Sequence, residues 1–287
     1  WDLDPNSPTG VDNDAKNIDG DKFTDIRNRI LEAYARGGVT TIGWHTTNPA
    51  TGGTAWDVTA AVGRIIPGGD LHEKYCGWLD KVAAFMLSLR TDAGEYVPVL
   101  FRPFHEHTGS GFWWGEAQCT PDEYKALWRF TVEYLRDVKG VHNLLYVYSP
   151  DLYRDAEHYT ERYPGDEWVD VLGLDAYHRP QDWDFLSGGE RMLSTLQRLG
   201  HEHGKPTAFT ETGLEGIPDT AWWTRRLLPV IRGKGLSYVL VWRNAHDRPT
   251  HFFGPWHGHA SEPDFRKFAA NREQPVLFES QLPDMYH

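Results

Sequence analysis

The chain has 287 residues with 41 acidic and 29 basic side chains, a formal net charge of -12, so nucleic acid or an anionic membrane surface would be repelled and a neutral partner is favoured. No run of about 18 apolar residues is present to span a membrane, and the two cysteines, Cys76 and Cys119, define no disulfide framework, though one bridge between them is allowed. Aromatic residues make up 14% of the chain, with 13 Trp; most of these rings are expected in the core, and the rest are candidates for stacking on sugar faces.

The length suits one α/β barrel better than two ordinary domains, so residues 1–287 are expected to form a single domain. The chain begins at Trp1, without Met or a signal-like stretch, which reads as a trimmed product. Trp1 to Asp21 is polar and turn-rich. Phe23, Ile26, Ile30, Ala33 and Tyr34 then share one helical face, and Gly37-Gly38 ends the helix. Val39 to Trp44 is a strand closing on His45. The segment Thr46 to Gly69 is too long for a simple connection and is a candidate substrate wall.

A helix from about His72 to Arg90 repeats apolar residues at Tyr75, Leu79, Val82, Met86 and Leu89, and a strand follows at Val97 to Phe101. Thr120-Pro121-Asp122-Glu123 combines an N-cap, a proline at N1 and a glutamate at N3, opening a helix through about Val138. Strands at Leu144 to Tyr148 and Val169 to Leu174 come next, the second ending in Asp175-Ala-Tyr177. Helices from about Gly189 to His203 and Thr220 to Arg232 flank a strand starting at Thr207, and Ser237 to Val241 is the last strand, ending in Trp242-Arg243-Asn244.

Alternating strands and helices, with polar residues only where strands end, predict a parallel sheet covered by helices and a site on the C-terminal rim, the pattern of a (β/α)8 TIM barrel. A doubly wound open sheet would show a glycine-rich phosphate loop, and none is present. Six strands are counted where a closed barrel has eight. With Trp1-Asp2 read as the tail of a strand, one or two N-terminal strands, roughly 40–60 residues, are expected to be missing.

Two strand ends carry the chemistry. Arg102, His105, Glu106 and His107 follow the strand at Val97, and Glu211 follows the strand at Thr207. Paired glutamates at the C-terminal ends of strands are what a retaining glycosidase uses, with the two carboxyl groups expected about 5–5.5 Å apart. Phe104, Phe112, Trp113 and Trp114 supply apolar walls able to raise the pKa of an acid. The 14 histidines raise a metallohydrolase reading, but there is no His-Glu-x-x-His motif and His105-x-His107 lacks partners at ligand spacing, so no metal or cofactor is called for.

The ordered segments Asn17-Ile-Asp-Gly20, Arg36-Gly-Gly38, Trp44-His-Thr-Thr-Asn-Pro49, Thr51-Gly-Gly53, Arg102-Pro-Phe-His-Glu106, Phe112-Trp-Trp-Gly115, Gly173-Leu-Asp-Ala-Tyr177, Thr210-Glu-Thr-Gly213 and Val241-Trp-Arg-Asn-Ala245 together resemble the β-mannanases of glycoside hydrolase family 26. The resemblance implies a (β/α)8 hydrolase that cleaves β-1,4-mannosidic bonds in mannan, galactomannan or glucomannan with retention, in which Glu106 is the acid/base and Glu211 the nucleophile. It implies that Tyr177 hydrogen-bonds the nucleophile, that Trp242 lies under the sugar at the cleavage point, and that His45, Arg102, His105 and Trp114 contact substrate. It further implies a secreted, periplasmic or cell-surface protein, expected to be a monomer, whose partner is β-mannan. The chain departs from the family at Gly111, where many relatives carry tryptophan, which leaves open β-1,3-xylan or mixed-linkage β-glucan as substrate. A non-catalytic carbohydrate-binding barrel is the rival outside enzymes. The loop Asp247 to Gly258, with Phe252, Phe253 and Trp256, is a candidate replacement surface.

Overall fold

The structure, a computed structural model, describes residues 16–17, 20–272, 276–277 and 281; the expectation placed on Trp1-Asp2 lies outside them. The chain contains two compact units, one formed by most residues up to Tyr148 with Tyr159–Asp170, the other by Ser149–His158 and the chain from Val171 onward.

In the first unit, α1 (Phe23–Ala35) buries Phe23, Ile26 and Ile30, the expected face. It leads into β1 (Thr40–Trp44), and the long segment that follows contains a short helix, α2 (Val62–Ile65). Helix α3 (His72–Ser88) precedes β2 (Val99–Pro103), and α4 (Pro121–Glu133) precedes β3 (Leu144–Tyr148). The capping box is formed: the Thr120 side chain accepts from the Glu123 N–H, and the Glu123 carboxylate accepts from the Thr120 N–H at 2.8 Å, satisfying two orphan donors of the first turn. The last turn of this helix, Tyr134–Val138, widens to a π-turn. Strands β1, β2 and β3 pair in parallel in that order.

A short helix, α5 (Ala156–Thr160), follows β3, and from Val171 the chain runs in the second unit. There β4 (Val171–Tyr177), β5 (Thr207–Gly213) and β6 (Val239–Val241) pair in parallel, with α6 (Phe185–His203) between β4 and β5, and a π-turn at Trp223–Leu227 running into α7 (Leu228–Ile231) between β5 and β6. Helix α8 (Glu262–Ala269) follows β6. All seven residues of β5 are buried, the run expected of a strand covered on both faces.

Three boundaries differ from the sequence reading in the same direction. β2 starts later than Val97 and runs to Pro103, β4 runs from Val171 to Tyr177, and β5 runs to Gly213. Arg102, Asp175, Tyr177 and Glu211 therefore sit in the last residues of strands. A parallel ladder is made by the backbone, so it continues past the point where apolar side chains give way to polar ones. Cys76 and Cys119 are both free, so the allowed bridge is not formed. Among the described residues, no helix is long and apolar enough to cross a membrane.

Candidate active site

On the first unit the backbone leaves β2 through two unusual residues. Phe104 has φ 52° and Glu106 φ 55°, left-handed values that cost an L-residue free energy and persist only where the surroundings over-determine them. Here the surroundings are aromatic. Phe104 is 0% exposed, its ring lies 5.9–6.5 Å from those of Trp44, Trp113, Trp114 and Trp128, and its carbonyl accepts from the Tyr124 hydroxyl at 2.9 Å. Beyond Glu106 the loop turns back on itself: Gly109 N–H donates to the Glu106 carbonyl, and Glu116 N–H to the Gly109 carbonyl. Glu106 is half-buried on this frame.

The other predicted residues of this unit pack beside it. Trp114 donates its indole N–H to the His105 carbonyl at 2.8 Å and stacks on Phe112 with ring centroids 4.6 Å apart. Trp114 is fully buried, so it acts from beneath, fixing Phe112 and the His105 backbone. His105, 2% exposed, meets His45 edge-on at 4.6 Å. Burial foremost, then the charges of His45, Arg102 and His107, holds the His105 imidazole well below its ordinary pKa, so the ring is neutral near pH 7. Its Nδ1 is buried without a hydrogen-bond partner among the described residues. Arg102 is buried.

The long segment after β1 supplies a residue that the sequence reading did not pick out. Asn48 organises it, donating to the carbonyls of Asp57 and Thr59 and accepting from Ala50 N–H, while Asp57 accepts from the hydroxyls of Thr51 and Thr59. Trp113 ties this loop to the loop that carries Glu106, through its indole N–H on the Thr46 carbonyl and its backbone N–H on the Ala55 carbonyl. On this support Trp56 stacks against His45 at 5.2 Å and remains 53% exposed. The only sequence signal for it was the length of the loop. At Gly111, a Cβ would meet nothing within 4 Å, so no described neighbour requires glycine there.

On the second unit hydrogen bonds organise the site. β4 and β5 register Asp175 against Glu211 and Tyr177 against Gly213. The Tyr177 hydroxyl donates to Glu211 Oε2 at 2.5 Å, the contact that the resemblance implies. Glu211 is 4% exposed. Thr210 Oγ1 shares its proton between the Leu174 carbonyl and Asp175 Oδ1, fixing the neighbouring strand at the same level. Burial pushes the Asp151 carboxyl up, with the Glu211 charge acting in the same sense against the Leu152 N–H and Arg179. Asp151 is thus a further carboxyl close to Glu211; it closes the Ser149-Pro150-Asp151 run after β3, where nothing but its position at a strand end marked it.

Trp242, just past β6, is half-buried and donates its backbone N–H to the Thr212 carbonyl. The loop after it is clamped by Asn244, whose Oδ1 accepts from the N–H groups of Phe253 and Gly254 and whose Nδ2 donates to the Gly254 carbonyl. Phe253 is buried against Tyr177, with centroids 5.5 Å apart, and against Gly213, where a Cβ would come 2.5 Å from its ring. Gly213, at φ 148°, is glycine for both reasons. Of the aromatics expected to replace the missing tryptophan surface, Phe253 is therefore packing beneath Tyr177, while Trp256 is half-exposed and rests on Phe252 and His259.

Comparison with known proteins places the chain in a family. The family model of glycosyl hydrolase family 26 covers residues 10–189. A mannan endo-1,4-beta-mannosidase of Bifidobacterium adolescentis is 34% identical over 263 residues, covering 85% of this chain and 26% of that protein. One of Bacillus subtilis is 33% identical over 202 residues, covering 67% and 51%. The chain thus spans about a quarter and about half of these relatives' lengths. A solved GH26 beta-mannanase from Bacteroides ovatus superposes with a TM-score of 0.90 at 45% identity, over 100% of this chain and 83% of that one. A Cellulomonas fimi endo-beta-1,4-mannanase double mutant gives 0.82 at 38%, over 91% and 59%. The fold class is that of an α/β barrel, and the chain belongs to glycosyl hydrolase family 26.

Proposed function

We propose that the chain is a retaining glycoside hydrolase acting on the β-1,4-mannosidic bonds of mannan, galactomannan or glucomannan. The hydrogen bond from Tyr177 to Glu211 carries this reading, because it orients a buried carboxyl at a strand end as an attacking group must be oriented. The relatives reported above are all named for mannan. In the proposed cycle Glu211 forms a bond to the anomeric carbon while Glu106 gives its proton to the departing glycosidic oxygen. Glu106 then takes a proton from water, which displaces Glu211 and releases the sugar with its original configuration. His45 and neutral His105 would serve sugar hydroxyls through their ring nitrogens, Arg102 would orient a carboxylate, and Trp242 and Trp56 would offer ring faces to the sugar. The eight-stranded form of the barrel, a single enzyme acting as a monomer, and a location outside the cytoplasm, where polysaccharide is found, belong to the same proposal.

Glu211→Ala is expected to abolish turnover, and Glu106→Ala to lower kcat by about 10²–10⁴-fold on natural mannan. Added azide should restore activity to Glu106→Ala as a glycosyl azide of retained configuration. Full activity in either alanine variant would end the assignment. Gly111 favours one second reading, a related β-glycan as substrate; faster hydrolysis of β-1,3-xylan or mixed-linkage β-glucan than of mannan would establish it.

A further inference from the structure

Directly beyond Tyr177, a cavity of about 450 Å³ opens at the rim of the second unit. It is next to the nucleophile's own support: His178 N–H donates to the Gly213 carbonyl, and the indole N–H of Trp183 donates to the Tyr177 carbonyl at 3.0 Å. None of the roles derived above uses it.

Its donors on His178 and Arg226 are positioned before any ligand arrives. The Trp222 indole N–H donates to His178 Nδ1 at 3.1 Å, so the proton of the neutral ring sits on Nε2, and that N–H has no partner among the described residues. The ring is further fixed by stacking on Phe185 at 4.9 Å, and burial foremost keeps its pKa below the ordinary value. Arg226 turns its Nε toward Asp219 at 3.5 Å, and its Nη groups make no hydrogen bond among the described residues. Asp182 and Gln181 supply acceptors on the wall. The indole of Trp183 has its N–H engaged and lies on Gly188, where a Cβ would come 2.7 Å from the ring. Glycine is needed at 188 for that approach, and the ring can offer a ligand only its apolar face.

This set selects a ligand class. The wall combines Arg226 with Asp182 and with Asp184, whose carboxylate is already engaged by Leu186 N–H and the Ser187 hydroxyl, so there is no excess of positive charge to hold an anion. Positioned donors, with acceptors and an aromatic face beside them, match a pyranose ring, which has hydroxyls on its edge and C–H groups on its face. We propose that this pocket is a saccharide subsite continuing from the nucleophile, in which His178 Nε2 and Arg226 donate to sugar hydroxyls over the Trp183 ring. The proposal rests on the hydrolase reading for its ligand. The occupant is either a further unit of the main chain or a side-branch sugar, which present the same chemistry.

The test compares the whole chain with His178→Ala and Arg226→Ala on mannotriose, linear mannohexaose and a galactosylated manno-oligosaccharide. The expected result is a loss of kcat/KM of about ten-fold or more on one of the two larger substrates, expressed mainly in KM, with a clearly smaller loss on the triose. Loss on linear hexaose assigns the pocket to the main chain, and loss confined to the galactosylated substrate assigns it to the branch. Equal losses on all three, or none, overturn the subsite. If the unmutated protein hydrolyses no mannan, calorimetric binding of mannohexaose separates the two ideas: binding weakened by both substitutions keeps the subsite without the hydrolase, and binding unchanged by them removes it.

Discussion

The surroundings of Glu106 in the first unit and of Glu211 in the second are held by different forces. Around Glu106 the backbone is bent into left-handed conformations at Phe104 and Glu106 and kept there by a packed set of indole and phenyl rings. Around Glu211 the strand pairing slips by one residue at Thr210, and the side chain is placed by the Tyr177 hydroxyl, with Thr210 and Asn244 fixing its neighbours by hydrogen bonds. In the proposed cycle, the group that gives and later takes a proton is thus set on an apolar shelf, whereas the group that forms the covalent bond is held through one adjustable hydroxyl. Steric placement should fail through stability, and hydrogen-bonded placement through rate.

The largest expected effect breaks the packed half. Phe104→Ala empties the centre of the aromatic set and should cost about 3–5 kcal/mol of stability, measured by denaturant unfolding, with activity falling alongside. A loss near zero would mean that the bend at Glu106 does not depend on that ring. Next, Tyr177→Phe should leave the melting temperature nearly unchanged and lower kcat by about 10–100-fold, the worth of a hydrogen bond of about 1.5–3 kcal/mol to a carboxylate; a change confined to KM would contradict the positioning role.

Trp56→Ala removes a half-exposed ring, so folding should be unaffected while KM rises by about ten-fold, comparable with the upper range of an aromatic contact. An unchanged KM would leave Trp56 as support for His45 alone. The smallest effect concerns Asp151. Its folded pKa is raised above the ordinary 3.8, chiefly by burial, so the stability that it contributes is complete below 3.8 and is lost as pH rises through the folded value. Asp151→Asn should therefore melt like the unmutated protein at low pH and above it as the pH rises; a gap constant with pH would contradict the shift.

Much of the fold was legible because local signals and tertiary structure agree. The Thr120 capping box appears as read, and the six apolar runs are the six described strands. Helix α6 begins at Phe185 rather than near Gly189, because Asp184 caps it and the two glycines are there for close packing. Helix α8 was not read, although Glu262-Pro263-Asp264 after Ser261 is an N-terminal signature. The π-turns at Tyr134 and Trp223 carry no such signature. At the site, both glutamates could be found from their strand ends. The left-handed backbone at Phe104 and Glu106 could not, since neither residue prefers it and only the surrounding rings impose it. The Tyr177–Glu211 contact, 34 residues apart, came from family resemblance, because spacing along the chain says nothing about neighbours on adjacent parallel strands.

The central claim is that Glu106 and Glu211 act together on a mannosidic bond with retention, and proton NMR of the anomer first released from a manno-oligosaccharide tests it most directly. The account predicts that the β-anomer appears first and mutarotates later, and that Glu106→Ala and Glu211→Ala release none at a comparable rate. First appearance of the α-anomer would show inversion, place the carboxyl groups about 6.5–9.5 Å apart rather than about 5–5.5 Å, and remove Glu211 from the role of nucleophile.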